Sequence, residues 1–185
     1  MQKSNFLLTI LLSLLFAITA CASTHKTSKL TYQTFTANQA GFSVNSHLIK
    51  GEKNAILVDG QFTRSQARGV ISTIKETGLN LQSIYITHGH PDHHFGLELI
   101  ISAFPKAEVL ARPEVIQIIK ETAPGKISYW KPIYKEELTS EFTLPNKITK
   151  HALNLEGNEI QIIDLGVGES AHDTALYVPS TKTLI

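Results

Sequence analysis

His88-Gly89-His90-Pro91-Asp92-His93 stands directly behind the apolar run Ser83-Ile84-Tyr85-Ile86-Thr87, and this junction of strand and loop decides the fold. Six residues hold three imidazoles and a carboxylate. Imidazole nitrogen suits borderline cations such as Zn²⁺, and a carboxylate among the ligands marks a site built for reactive chemistry rather than a closed structural one. Chance would produce the pattern in fewer than about one in a thousand chains of this composition, so a polar loop merely rich in histidine is a poor account of it. In an extended loop the side chains at i and i+2 share one side. His88 and His90 can therefore grip one ion while Asp92 and His93 turn to a second position. Gly89 lets the backbone pass close to the metal, and Pro91 stiffens the approach to Asp92. A third ligand for the first ion has to come from elsewhere. The best candidate is His172, in the glycine-rich stretch Gly166-Val167-Gly168-Glu169-Ser170-Ala171-His172-Asp173 between two expected strands.

Working outward, strand and helix alternate through the first two thirds. Strands are expected at Thr31 to Thr36, at Phe42 to Ile49 with Phe42, Val44 and Leu48 on one face, and at Ala55 to Val58, ending in Asp59-Gly60. Thr63 and Gln66 have capping-box form, Ala67, Val70, Ile71 and Ile74 repeat at helical spacing, and Gly78 supplies the stop. Leu97, Ile100, Ile101 and Phe104 make a second helix that ends at Pro105. After a strand at Ala107 to Ala111, Pro113 opens a third helix carrying Val115, Ile118 and Ile119, which Pro124-Gly125 closes. Beyond Phe142 the pattern is β: Lys147 to Leu153, a turn at Glu156-Gly157-Asn158, Glu159 to Leu165, Ala175 to Val178 and Thr183 to Ile185.

A chain of 185 residues, 42% hydrophobic, with 17 basic and 16 acidic side chains, suffices for one domain behind an export segment. A net charge of +1 gives no electrostatic footprint for nucleic acid, and a small-molecule substrate is the expected partner. Residues 1–20 read as a signal peptide, since the apolar stretch Phe6 to Ala17 follows Lys3 and is too short to span a bilayer. Ile18-Thr19-Ala20-Cys21 resembles a bacterial lipobox, and Cys21 is the only cysteine. The expected mature protein is a lipoprotein with Cys21 lipidated, residues 21–30 as a polar tether and 31–185 as the folded domain. That lipid is its sole expected contact with a membrane. Ala22 provides no acidic retention signal, so the outer membrane or its periplasmic face is the expected destination. Ordinary cleavage around Ala20-Cys21-Ala22, giving a soluble periplasmic or secreted protein, is the alternative.

The spacing His88-x-His90-x-Asp92-His93 after a strand, with Leu57-Val58-Asp59-Gly60 upstream and Gly168-Glu169-Ser170-Ala171-His172 downstream, resembles the metallo-β-lactamase superfamily over nearly all of the mature chain. The resemblance implies an α/β fold, the four-layer αβ/βα sandwich, with the site at one edge between two sheets. It implies that His88, His90 and His172 hold the first ion, Asp92 and His93 the second, and that Asp59 braces them from behind. One or two zinc ions, with iron or manganese as substitutes, would activate water to a hydroxide near neutral pH. The implied reaction is hydrolysis of an ester, thioester, lactone or lactam, with Asp92 orienting the nucleophile and passing its proton to the leaving group. An iron-dependent oxidoreductase of the persulfide dioxygenase kind, or a metal-binding remnant without turnover, are the alternatives. Relatives with two metals carry further ligands after the third histidine, which are absent before Ile185. The chain is therefore expected to be a C-terminal truncation of a longer reading frame, with the second half of the sandwich incomplete.

Other polar residues receive plainer readings. His94 is expected to point outward at a helix start, His47 and His151 to lie on strand surfaces, and His25 to sit in the tether. Asp173 is either a partner for His172 or a loop carboxylate. The cluster Tyr129-Trp130-Lys131-Pro132-Ile133-Tyr134 is expected to pack down a loop rather than to wall a pocket. Arg112 and Lys131 could meet a substrate carboxylate, but no motif places them near the metals.

Overall fold

The central strands of this chain are apolar on both faces, and each face has its own cover. In the computed structural model, which describes residues 27–185, a six-stranded sheet runs in the order β1 (Thr31–Thr36), β2 (Asn45–Lys50), β3 (Asn54–Val58), β4 (Asn80–Ile86), β5 (Glu108–Ala111), β6 (Asn146–Lys147). β1, β2 and β3 pair antiparallel, while β3 to β6 pair parallel. Parallel neighbours need crossovers, which α1 (Arg64–Thr77), α2 (Leu97–Ala103) and α3 (Pro113–Tyr134) supply in turn. A second, antiparallel sheet holds β7 (Ala152–Leu155), β8 (Asn158–Gly166), β9 (Asp173–Val178) and β10 (Thr183–Leu184). The signal peptide and Cys21 lie outside the described residues. Among those residues, no helix is long and apolar enough to cross a membrane.

Parity along the strands sets the layer order. Leu48, Leu57, Ile84, Ile86, Val109 and Ala111 join a core with Val70 and Ile74 of α1, Leu97 and Ile100 of α2, and Val115 and Ile119 of α3. Their neighbours Ile49, Ile56, Val58, Tyr85 and Leu110 turn the other way and pack on Leu153, Leu155, Ile160, Ile162, Leu176 and Val178 of the second sheet. Each buried side chain of this size contributes about 1.5–3 kcal/mol, so a one-residue slip in register would sacrifice both cores together. The chain is thus α/β, with helices on a mixed sheet on an antiparallel sheet. Among the described residues these are three of the four expected layers.

α1 follows its sequence signals: Thr63 Oγ1 accepts from the Gln66 N–H at 3.3 Å, and Gly78 ends the helix at φ 68°. Four expectations need correction. α3 does not stop at Pro124-Gly125 but continues to Tyr134. Both residues are exposed, so water can serve the carbonyl that the proline leaves unpaired, while Val115, Ile119, Ala123, Ile127, Trp130 and Tyr134 keep an unbroken stripe on the core. The aromatic cluster therefore sits on a helix, where Trp130 and Tyr134 meet Phe42 and Phe62 edge-on or tilted. Phe42 is not a strand residue: it follows a single 3-10 turn in the left-handed region at φ 59°, and β2 begins at Asn45. The segment from Lys147 to Leu153 is not one strand but crosses between sheets, its carbonyls at Ile148, Thr149 and Lys150 taken by the Arg112 guanidinium.

Glu156 binds the two sheets together at the end far from the histidine motif. Its carboxylate accepts from the backbone N–H groups of Glu52 (2.7 Å), Lys53 (2.8 Å) and Asn54 (2.8 Å), so the β7–β8 turn clamps the β2–β3 turn. Partial burial pushes the carboxyl up, but these donors outweigh it and hold the group at about 2, below its ordinary 4.5. A depressed carboxylate stabilises the fold above its unfolded value and loses that contribution as pH falls through the folded one. Glu156→Gln should cost about 1–2 kcal/mol at neutral pH by denaturant unfolding. The gap from the wild type should hold above pH 4.5 and close toward pH 2; a gap independent of pH would mean that the charge is not what the turn uses.

Candidate metal centre

The C-terminal ends of β3 and β4 deliver Asp59 and Thr87 side by side, and the loop after β4 carries the histidines. Asp59 takes the left-handed conformation at φ 64° and is 5% exposed. Its Oδ1 accepts from the Thr87 N–H at 2.9 Å, and its Oδ2 accepts from Thr87 Oγ1 at 2.8 Å and lies 2.7 Å from His93 Nδ1. The loop is strapped to this corner by Gly60 N–H to the His93 carbonyl (2.6 Å) and Gly96 N–H to the Gln61 carbonyl (2.8 Å). Glycine is required at two points of that strap. A Cβ on Gly96 would overlap the Gly60 carbonyl oxygen, and one on Gly89 would run into Ile118 of α3.

Proton accounting then fixes the imidazoles. Thr87 has one hydroxyl proton and gives it to Asp59, so toward His88 Nδ1, 3.0 Å away, its oxygen acts as acceptor. His88 Nδ1 carries the hydrogen and Nε2 is a bare lone pair. That Nε2 is buried with no hydrogen-bond partner among the described residues. Burial, and then the neighbouring His93, push the His88 imidazolium below its ordinary range. His93 goes the other way: burial opposes its charge, but the Asp59 carboxylate lifts it to about 9. Burial likewise pushes Asp59 up, and His93 with the Thr87 donors more than reverses this, holding the carboxyl below its ordinary value. With Nδ1 of His93 committed to Asp59, Nε2 faces the site, 3.6 Å from Asp92 Oδ2.

The second sheet closes the other side. Thr174 N–H and Oγ1 both donate to the Thr87 carbonyl, at 3.1 and 2.7 Å, and the Tyr85 hydroxyl lies 3.0 Å from Thr174 Oγ1. The β8–β9 loop, residues 167–172, therefore arrives beside His88 and His90. Asp173, the first residue of β9, turns its carboxylate to the loop rather than to the His172 ring, accepting from the Glu169 and Ser170 N–H groups at 2.7 and 3.0 Å. The donor atoms of His88, His90 and Glu169 lie within 4.8 Å of one another, with His90 Nδ1 3.5 Å from Glu169 Oε1. Two imidazoles and a carboxylate are a donor set that fits a divalent borderline cation, and the orphaned Nε2 of His88 is the atom such an ion would satisfy.

The structure brings together His88 and His90, and Asp92 and His93, as adjacent pairs. It places His172 apart from the grouping: its Nε2 is 3.1 Å from Asp164 Oδ1 but out of line for a hydrogen bond, and is buried without another partner. Glu169 escaped sequence reasoning, although a carboxylate three residues ahead of His172 on the same loop was a usable signal. Thr87 left no signal of its own. His94 is a correction, since it is 1% exposed and meets Phe95 edge-on at 4.9 Å. The 3-10 turn Pro91–His93 and the strap to Gly60 and Gln61 carry the chain inward, so residue 94 falls beneath the loop. There burial drives its pKa down to about 3 and keeps it neutral. His47 is half-buried against Thr34 and His151 is exposed, as expected, while His25 lies outside the described residues. Lys131 donates to the Leu138 carbonyl at 2.8 Å, and neither it nor Arg112 reaches the histidines.

The sequence signature of the Metallo-beta-lactamase superfamily matches residues 40–185. A hydroxyacylglutathione hydrolase of Prochlorococcus marinus is 40% identical over 131 residues, 71% of this chain and 42% of that protein. The uncharacterized protein YobT of Bacillus subtilis (strain 168) is 35% identical over 69 residues, 37% of this chain and 29% of its own. The chain spans less than half the length of these curated relatives. Among solved structures, the BLEG-1 B3 metallo-beta-lactamase superposes with a TM-score of 0.64 at 14% identity, covering 83% of this chain and 70% of that one. A metallo-beta-lactamase from Pontibacter korlensis gives 0.61 at 16% identity, covering 84% and 70%. At such identities the likeness is one of fold.

Asp59→Asn tests the brace. The amide cannot accept from Thr87 and hold the His93 Nδ1 hydrogen as the carboxylate does. It should weaken zinc binding about 10–100-fold by equilibrium dialysis. Removing the charge beside His93 should also cost about 3 kcal/mol in denaturant unfolding of the metal-free protein. Unchanged zinc affinity would mean that the tautomers are set by something other than Asp59.

Proposed function

The chain belongs to the metallo-beta-lactamase superfamily, and from that premise we propose that it is a metal-dependent hydrolase of small molecules bearing an ester, thioester, lactone or lactam. The observation that carries the reading is the bare, buried Nε2 of His88 beside His90, held in that tautomer by Thr87 and Asp59. The hydrolase named among the relatives supports the same class of chemistry.

We assign His88, His90 and His172 to the first ion. His172 Nε2, like the nitrogens of His88 and His94, is buried without a hydrogen bond, and it is the one of these on the β8–β9 loop that carries Glu169; this supports its role as the third donor once it leaves Asp164. Glu169, largely exposed, is the acidic rim residue of that position. Asp92 and His93 are assigned to a second ion. A divalent cation, zinc by the chemistry of the donors, supplies a Lewis acid that activates water and polarises the oxygen of the scissile group. Asp59 holds a proton of His93 on Nδ1, so Nε2 is the nitrogen that would give up its proton to hold an ion. Asp92, the middle residue of the 3-10 turn, takes the proton of the attacking water and hands it to the leaving oxygen, sulfur or nitrogen. The buried strand ends behind His88 exclude bulk solvent from that side. Export, with a lipid on Cys21 at the outer membrane, is part of the same proposal and rests on the N-terminal sequence alone.

The test is turnover of a chromogenic panel of esters, thioesters, lactones and lactams by zinc-loaded protein, before and after chelation. At least one class should be hydrolysed, chelation should abolish the activity, and zinc should restore it. Asp92→Asn should lower kcat by about 10²–10⁴-fold while elemental analysis still finds the first ion. No turnover with zinc, iron or manganese, or an Asp92→Asn variant as active as the parent, overturns the reading.

A further inference from the structure

A cavity of about 410 Å³ opens against the histidine site between α3 and the β8–β9 loop. Its volume falls in the range of small-molecule pockets. One wall is a stripe of α3 residues four apart, Ile118, Thr122 and Lys126, which a helix necessarily puts on one face. The opposite wall is the loop, with Val167 85% exposed. His90 and Glu169 line it too, so the cavity is continuous with the candidate metal position.

The polar groups of these walls are not equally free. Thr122 Oγ1 donates to the Ile118 carbonyl at 2.8 Å, which uses its only proton. Ser170 is engaged with Asp173. Lys126 is partly buried, and among the described residues it has no carboxylate within 4.0 Å and no hydrogen bond. A lysine that lines a cavity with no carboxylate in contact with it is suited to receive an anion. Ile118 marks the end near the metal position, since it abuts Gly89, and Lys126 stands two turns further along the helix, about 12 Å by the rise per residue.

We propose that this cavity is the subsite for a substrate whose acyl chain ends in a carboxylate, with Lys126 as the residue that selects it. This deepens the hydrolase reading and rests on it for the position of the scissile bond. The scissile carbonyl lies at the His90 end, an apolar spacer contacts Ile118 and Val167, and the terminal carboxylate pairs with Lys126. Allowing for the reach of the lysine side chain, carbonyl and carboxylate are on the order of 6–10 Å apart. A dicarboxylic monoester, monothioester or monoamide of about six carbons has that span.

The experiment uses two pairs of probes that differ only in a terminal carboxylate against a methyl group. The unreactive pair, adipic acid monoanilide and hexananilide, reads binding to the zinc-loaded chain by titration. The reactive pair, mono-p-nitrophenyl adipate and p-nitrophenyl hexanoate, reads hydrolysis. The adipic monoanilide should bind at least about tenfold tighter than hexananilide, the margin of one partly desolvated charge pair. Lys126→Ala should erase that preference and Lys126→Glu reverse it, with hexananilide affinity and thermal unfolding unchanged. The gain should shrink as salt is raised. Equal binding of the two anilides, binding of neither, or a preference that survives Lys126→Ala overturns the proposal. If neither these esters nor any thioester, lactone or lactam of the chromogenic panel is turned over while the anilide preference holds and depends on Lys126, the hydrolase reading fails and the anion subsite stands.

Discussion

The buried carboxylate of Asp59 is the constraint from which the candidate centre follows. One side chain at the end of β3 accepts three contacts, from the Thr87 N–H, the Thr87 hydroxyl and His93 Nδ1. Because the threonine proton is spent on Asp59, His88 must present Nδ1–H to the threonine oxygen and Nε2 to the site. Because His93 is held through Nδ1, its Nε2 is also turned inward. A single acid thus orients two imidazoles, one directly and one through a hydroxyl. It does so from a left-handed backbone conformation that an aspartate tolerates better than most residues.

That corner is useful only because two sheets meet there. The parity of the central strands sends Ile84 and Ile86 to the helices and Tyr85 to the second sheet, where its hydroxyl reaches Thr174. Thr174 bonds the Thr87 carbonyl, so a residue at the start of β9 is tied to the residue that follows β4. The loop ahead of β9, which carries Glu169 and His172, is positioned by this tie and by the Asp173 carboxylate at its base. Neither sheet holds the donor set alone: His88 and His90 belong to one, and the third donor to the other.

Local chemistry made the first half of this legible in sequence. The cap at Thr63, the stop at Gly78 and the parity of Ile84-Tyr85-Ile86 depend on a few neighbouring residues, and the structure follows them. The resemblance carried by His88, His90, Asp92 and His93 pointed to the family whose fold the chain adopts. What stayed hidden depends on contacts far along the chain. Pro124-Gly125 reads as a helix stop because the stripe continued by Ile127, Trp130 and Tyr134 gains its value only against Phe42 and Phe62. His94 reads as an outward residue because the strap between its loop and Gly60-Gln61 joins segments more than thirty positions apart. Glu169 and Lys126 become neighbours of the same cavity only when the β8–β9 loop is laid against α3.

The same site that is organised for chemistry is a local burden on the fold. His88 Nε2 and His172 Nε2 are buried without hydrogen bonds, and each such atom costs about 1–3 kcal/mol. Asp59 adds a backbone conformation that costs of order 1 kcal/mol more. These losses are tolerable because the cores on either face of the central sheet are extensive and separate, with Ile56 and Ile84 fully buried in them. A cation accepting the bare nitrogens would remove the cost where it arises, and its binding energy would appear as stability of the fold. The lone pair of His88, fixed by Thr87 and set beside His90 and Glu169, is therefore the feature that argues most directly for a metal, since His94, also buried and unpartnered, has no such donors gathered around it.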